Sequence, residues 1–168
     1  GNIFGAEGDV IWTRTYDGAA HQDDEGYGIA VDGNGNVYLT GYEWVAAEWA
    51  NIWVRKYDSD GDEVWTRDYD RGGDHTGYGI AVDGSGNVYV TGSEAVMWEG
   101  LNIWVRKETS GGDGVWTKTY NDTASQNDKG YGIAVDASGN VYVTGYEGVA
   151  GPLTIGWTFK TLLTRTGK

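Results

Sequence analysis

The chain contains one stretch that occurs three times with few changes. It reads GYGIAVDGSGNVYVTGSE at residues 77–94, and near-copies lie at 26–43 and 130–147. The first two copies differ only at the pairs Asn34/Ser85, Leu39/Val90 and Tyr42/Ser93. The first glycines of the copies are 51 and 53 residues apart, and self-similarity at that period predicts stacked blades or a solenoid.

Each copy has the pattern of a β-hairpin. Large side chains at 78, 80 and 82 alternate with small or polar ones, and the alternation resumes at 88–91. A period of two is typical of strands. Between the strands, Asp32-Gly33-Asn34-Gly35 in the first copy supplies residues that tolerate the positive φ angles of a tight turn.

A second repeated block, at 51–70 and 102–121, also predicts strand, turn and strand. Each period therefore holds four antiparallel strands, named A (GYGIAVD), B (NVYVTG), C (NIWVRK) and D (VWTRDY). The acidic turn 58–63 has carboxylates at alternate positions, as in a calcium-binding loop. Such a loop starting at Asp58 would need glycine at position 63 and a ligand at position 69, where the chain has Glu63 and Tyr69. A polar turn and no metal site are predicted.

Four short strands per repeat, with no helical periodicity, predict an all-β chain built of β-propeller blades. Strand A carries Gly79 and Ala81 on one face, as expected of an innermost strand crowded around an axis. The bulky aromatic residues fall on strands C and D. We predict that the tryptophans recurring at the repeat period lie in the core: Trp12, Trp53, Trp65, Trp104, Trp116 and Trp157.

The core G-I-A-V-D-x-x-G-N-V-Y-V-T-G at 28–41, 79–92 and 132–145 resembles the bacterial seven-bladed β-propeller (SBBP) repeat, and more loosely the NHL repeat. The resemblance covers nearly the whole chain and implies the propeller fold. Propellers of these families serve as binding platforms, surface proteins and, in some NHL-like cases, enzymes. The resemblance therefore implies no single function.

The two ends of the chain predict an incomplete set of strands. Residues 8–17 match strand D, and Ile155–Lys160 align with strand C, with Trp157 and Lys160 in register with Trp104 and Lys107. The predicted order is D-ABCD-ABCD-ABC, about three blades in a single module spanning 1–168. The repeats lie near 18–69, 70–120 and 121–168.

Open strand edges at both ends are templates for pairing. A three-bladed ring within one chain would be too tight, so we expect two copies to close a six-bladed ring or many copies to form a head-to-tail polymer. A piece of a longer propeller is a comparable alternative, in keeping with a chain that begins at Gly1. The predicted assembly residues are Val10, Trp12, Arg14, Tyr16, Trp157 and Phe159.

Composition limits the partners. The chain has 12 basic and 25 acidic residues, a net charge of −13, which disfavours nucleic acids and anionic membranes. It has no cysteine for disulfide or thiol chemistry and no apolar run long enough for a membrane span. No cofactor is predicted. Cations, amines and neutral ligands fit this charge better.

The connections D-to-A and B-to-C vary between repeats and emerge at one edge of each blade, which marks a candidate binding face. Aromatic rings beside carboxylates suit carbohydrate, although packing at the blade edges or between blades or chains is the simpler explanation of the same tryptophans. The candidate ligand-binding residues are Trp44, Trp49, Trp98, Asp23, Asp74, His75 and Asp128.

No motif supports catalysis. The histidines His21 and His75 occupy non-equivalent loop positions, and adjacent acids such as Asp23 and Asp24 are usually solvated. The sequence predicts a non-enzymatic, extracellular or cell-surface propeller module that assembles or binds a surface ligand. A purely structural subunit of a fibre or larger propeller is one alternative, and a propeller hydrolase or lyase is a weaker one.

Overall fold

A computed structural model describes residues 2–4, 8–45, 49–69, 72–121, 126–148 and 159–164. These residues form antiparallel strands joined by turns. The strands are β1 (Asn2–Phe4), β2 (Val10–Thr13), β3 (Asp24–Val31), β4 (Val37–Trp44), β5 (Ala50–Tyr57), β6 (Glu63–Tyr69), β7 (His75–Val82), β8 (Val88–Val96), β9 (Gly100–Glu108), β10 (Gly114–Tyr120), β11 (Lys129–Val135), β12 (Val141–Tyr146) and β13 (Phe159–Thr164).

The strands form the predicted blades in the predicted order. Blade 1 is β3-β4-β5-β6, blade 2 is β7-β8-β9-β10, and blade 3 is β11-β12-β13, each with strand A at one edge of its sheet. The order D-ABCD-ABCD-ABC is thus confirmed, with β2 as the first D strand. A short strand, β1, additionally precedes β2.

An aspartate closes each A–B turn. Asp83 Oδ1 accepts hydrogen bonds from the backbone amides of Ser85 and Asn87, at 2.9 Å each, and Oδ2 accepts from Asn87 Nδ2 and the Tyr89 hydroxyl. Asp32 and Asp136 make the equivalent bonds in the other two blades. The acidic C–D turn follows the same rule, since Asp58 accepts from the amides of Asp60 and Asp62.

The N-terminal strands reproduce the end of a blade. Ile3 lies opposite Trp12 and Phe4 opposite Val10, so the pairing skips Ile11. Blade 1 pairs Lys56 with Trp65 and Tyr57 with Glu63, and skips Val64 in the same way. Strand β1 therefore takes the place of the end of a C strand beside β2.

Strand β13 corrects the predicted position of the last C strand. Lys160 lies opposite Gly145, the place that Trp104 takes opposite Gly92, so the strand lies three residues further along than Ile155–Lys160. The connection between strands B and C is correspondingly longer in the third repeat. Of the predicted assembly residues there, Phe159 begins β13 and Trp157 lies outside the described residues.

The hydrophobic core lies between blades. Trp65 and Val54 of blade 1 pack against Ile80 and Val90 of blade 2. The junction between blades 2 and 3 repeats this arrangement with Val105, Ile133 and Val143 among its residues. Trp53, Trp65 and Trp104 are buried as predicted.

Polar contacts repeat at the same junctions. Trp65 Nε1 donates to the carbonyl of Ser110 in the next blade at 3.1 Å, and Trp12 Nε1 donates to the carbonyl of Ser59 at 3.2 Å. The Tyr120 hydroxyl donates to Glu147 at 3.0 Å. Strand β2 thus sits on blade 1 as a D strand of a preceding blade would.

Candidate functional site

A cavity of about 480 Å³ opens at the edge where the variable connections emerge. Three of the predicted ligand-binding residues, Asp23, Trp44 and Asp74, line it together. Its remaining lining residues are Gln22, Tyr42, Ala50, Thr76, Tyr78, Ser93, Leu101 and Lys129. The cavity therefore draws on all three blades.

Every described A strand has a bulge, and the bulged residue of blade 2, Tyr78, lines this cavity. The A–B pairing passes from Gly77 to Gly79 and skips Tyr78, and the other two blades skip Tyr27 and Tyr131. A bulge of this kind turns a side chain away from its regular position. The three tyrosine rings consequently form a row, with centroids 5.4 Å apart from Tyr27 to Tyr78 and 5.2 Å from Tyr78 to Tyr131.

One lining position of the cavity differs between repeats. Ser93 lines it at the position where blades 1 and 3 carry Tyr42 and Tyr146, and pairs with Thr76 as Tyr42 pairs with Glu25. The Tyr42 ring lies 6.1 Å from Tyr27 on the adjacent strand. A tyrosine at 93 would add a phenol ring to the lining and make the cavity smaller.

The wall of the cavity carries charge of both signs. Burial, followed by the negative charge of nearby Glu25, Asp23 and Asp24, raises the pKa of Tyr42 above its ordinary value. On the opposite side, Lys129 Nζ lies 5.9 Å from the centroid of the Tyr78 ring, within the range of a cation–π contact.

His75 and Asp128, two of the predicted ligand-binding residues, lie outside the lining of this cavity. They share one repeat position with Asp24, and both are buried. His75 Nδ1 accepts from the Ala95 amide at 3.2 Å, and Asp128 Oδ1 accepts from the Gly148 amide at 2.9 Å. Asp24 likewise accepts from the Trp44 amide, so this position caps the end of strand B.

Trp49 and Trp98 lie outside the cavity lining. Both are exposed, and Trp98 adopts a φ of 71°, which is uncommon for a residue other than glycine. The base of its loop is held by hydrogen bonds from Asn102 Nδ2 to Glu99 and from the Leu101 amide to Asn127. Of the three predicted tryptophans, Trp44 therefore lines the cavity and the other two do not.

The other functional residues considered in the sequence stay apart. His21 pairs with Asp17 at 2.8 Å on the surface, away from His75. Within the described residues, no group of three or more His, Asp and Glu side chains is placed to hold a metal ion. Among the described residues there is no helix of the length and apolarity that a membrane span requires.

A second candidate surface is formed by the open faces of the outer blades. Ile29 of blade 1 is 58% exposed, whereas the equivalent Ile80 of blade 2 is 8% exposed. Tyr142 of blade 3 is 37% exposed, whereas the equivalent Tyr89 is fully buried at 0%. We call these the Ile29 face and the Tyr142 face.

Blades of four antiparallel strands, packed face to face with strand A innermost, define this chain as a β-propeller-type protein. The sequence profile of the SBBP β-propeller repeat matches residues 11–42, 70–93 and 115–146, more than half of the chain. The chain belongs to this repeat family. A search of curated proteins found no match.

Proposed function

We propose that the chain is a non-enzymatic propeller module that assembles with a second copy of itself through the Ile29 face and the Tyr142 face. The support is repetition: the same two kinds of face already meet twice inside the chain, at the junctions of blades 1, 2 and 3. The outermost copies of these faces carry the exposed side chains Ile29 and Tyr142. Contiguous exposed apolar surface is typical of interaction sites.

The inner strands fix how closely blades approach. A Cβ atom built on Gly28 would lie 3.1 Å from the Tyr78 carbonyl oxygen, and one on Gly79 would lie 2.8 Å from the Tyr131 carbonyl oxygen. The equivalent Gly132 has no backbone neighbour of this kind within the described chain. A second copy whose strand A packs on Gly132 would repeat the existing junction.

Such an interface joins different surfaces of the two copies. It closes into a six-bladed ring of two chains or continues as a head-to-tail polymer, according to the rotation per junction. Each fully buried Ile or Val side chain contributes about 1.5–3 kcal/mol. Several such residues at each junction are enough for a stable assembly.

Strand pairing extends the same interface. In blade 1, Arg67 and Tyr69 of strand D lie opposite Val54 and Ile52 of strand C. The equivalent residues beyond β2 are Arg14 and Tyr16, where β1 does not reach. In the assembly, β13 of the second copy pairs with this segment.

Light scattering of the intact chain tests the assembly. We expect a dimer or a larger species, and we expect Ile29→Asp to shift it to the monomer by placing a charge in the interface. Val64→Asp is the matched control, because Val64 is similarly exposed but lies on the outer strand of blade 1. A chain that is monomeric at every concentration, with or without Ile29→Asp, would exclude self-assembly.

We also propose that this module lies outside the cell or at the cell surface, because propellers of the SBBP and NHL repeat families include surface proteins. Protease treatment of intact source cells tests the location. Loss of the protein under that treatment is expected, and full protection contradicts it.

Carbohydrate binding in the cavity is a second candidate function. The observation that favours it is the convergence of Trp44 with Asp23 and Asp74, since an indole face stacks on sugar rings and carboxylates accept from hydroxyls. We expect signal on a glycan array for the parent chain and loss of that signal for Trp44→Ala with little change in melting temperature. A large fall in melting temperature would instead make Trp44 a structural residue.

A further inference from the structure

The cavity has the size of a ligand site, and one of its lining residues departs from the repeat. The volume of about 480 Å³ lies within the range of about 300–1,000 Å³ usual for small-molecule sites. Ser93 is smaller than the tyrosine of the other two repeats, although the flanking residues 88–92 follow the repeat.

The carboxylates of the cavity are available to a ligand. Neither Asp23 nor Asp74 forms a salt bridge with a described residue. The Asp74 carboxylate accepts one long hydrogen bond, 3.4 Å, from the Ala50 amide. Their negative charge adds to that of a chain with a net charge of −13.

The aromatic wall already contacts a cation. Lys129 places its ammonium group 5.9 Å from the centre of the Tyr78 ring. Tyr42 and Trp44 supply further π faces in the same cavity. Aromatic rings combined with carboxylates are a common environment for protonated amines.

From this arrangement we infer that the cavity lined by Ser93 binds a sugar carrying a protonated amine, with Asp23 and Asp74 contacting the amine and Trp44 stacking on the ring. This inference rests on the carbohydrate-binding candidate and adds the charge of the ligand. An acidic sugar would meet two carboxylates of its own sign. A neutral sugar would donate hydroxyl hydrogen bonds to these carboxylates but would bring no compensating positive charge.

Calorimetry with the intact chain tests the inference, using a glucosamine hexasaccharide and its fully N-acetylated counterpart at a pH where the free amines are protonated. We expect the glucosamine form to bind about tenfold more tightly or better, as one charge-assisted contact provides. Asp74→Asn should weaken binding of the glucosamine form about tenfold. Lys129→Gln should strengthen binding, because it removes a competing cation.

Ser93→Tyr restores the residue of the other two repeats and should abolish binding. Ser85→Asn is the matched control: it also restores a residue of the first repeat, but at the A–B turn on the opposite edge. Comparing Ser93→Tyr with Ser85→Asn distinguishes binding in the cavity from nonspecific attraction between a cationic oligosaccharide and an acidic protein. If Ser93→Tyr fails to fold, as judged by its melting temperature, the affinities of Asp74→Asn and Lys129→Gln for the glucosamine form still test the inference.

The outcomes are distinguishable. Equal binding of the two hexasaccharides retains the carbohydrate candidate and overturns the amine inference, and absence of binding by both overturns the two together. Binding unchanged by Ser93→Tyr excludes the cavity as the site. Binding weakened by Lys129→Gln would mean that Lys129 itself contributes to binding and does not compete with the amine, which also overturns the inference.

Discussion

Blades 2 and 3 approach each other closely at a glycine. A Cβ on Gly79 would lie 2.8 Å from the Tyr131 carbonyl oxygen and 3.3 Å from Gly132 Cα, and these backbone atoms have little room to relax. We therefore expect Gly79→Ala to lower the free energy of unfolding by about 1–3 kcal/mol, as overpacking does. Urea denaturation measures this effect.

Gly132→Ala is the control at the same repeat position. The added Cβ would meet only the Thr144 side chain, which has rotamer freedom. We expect a smaller loss of stability in the dilute, unassembled chain. Equal losses for Gly79→Ala and Gly132→Ala would contradict the backbone explanation.

The turn aspartates predict a loss of stability in acid. Burial opposes ionisation of Asp83, but its four hydrogen bonds outweigh burial and lower the pKa of the carboxyl. For Asp136, the hydrogen bond from Asn140 is the main cause of a lowered pKa. Because a lowered folded-state pKa favours the ionised folded form, this stability is complete above the ordinary carboxyl pKa of about 4 and is lost as the pH falls through the folded value.

We expect Asp83→Asn to destabilise the chain at neutral pH, since the amide nitrogen cannot accept from Asn87 Nδ2 and the Tyr89 hydroxyl. The same variant should show a weaker dependence of melting temperature on pH in acid. Calorimetric melts at neutral and acidic pH measure both effects. If acid lowered the melting temperature of Asp83→Asn as much as that of the parent chain, the pH dependence would come from other groups.

Among the strand elements, β1 controls access to the edge of β2. It pairs with β2 in the register that strand C uses with strand D, including the skipped residue. Deleting residues 1–4 should therefore leave β2 open along its length and increase assembly in light scattering, because β13 of a second copy gains the full ladder.

Deleting residues 1–16 should have the opposite effect, because it removes β2 together with β1. We expect monomers or nonspecific aggregates from that deletion. Identical association of the parent chain and both deletions would show that the β2 edge takes no part in assembly.

Hairpins were the most predictable elements of this fold. Alternating side chains and Asp–Gly turns define them locally, and three copies of the pattern reinforce one another. Strand β13 was harder to place, because the third repeat has a longer B-to-C connection and lacks the Ile-Trp-Val-Arg sequence of the other C strands. Its register depends on pairing with β12, which the sequence of β13 alone does not specify.

The candidate site was partly predictable. The variable connections pointed to Asp23, Trp44 and Asp74, which the structure brings together. The difference between Tyr42 and Ser93 was visible in the sequence, but its effect depends on how the next blade packs beside it. His75 and Asp128 share a repeat position with Asp24, and that periodic spacing was the signal for a structural cap.

For the whole molecule, the contacts at one blade junction recur at the next. Trp12 reaches Ser59 and Trp65 reaches Ser110, while Tyr16 donates to Glu43 as Tyr120 does to Glu147. Each contact joins one repeat to the next. The stability of such a stack is close to the sum of blade and junction contributions.

The tryptophan-to-turn contact has a consequence for how such chains change their length. Gly61 and Gly112, both with positive φ, receive the indoles of Trp12 and Trp65 in turns of the same shape. A tandem duplication of one whole repeat would therefore supply its own donor and its own receiving turn, and the flanking junctions would form as before. Unequal recombination between the near-identical copies can thus add or remove a blade in a single event, without any new side-chain chemistry.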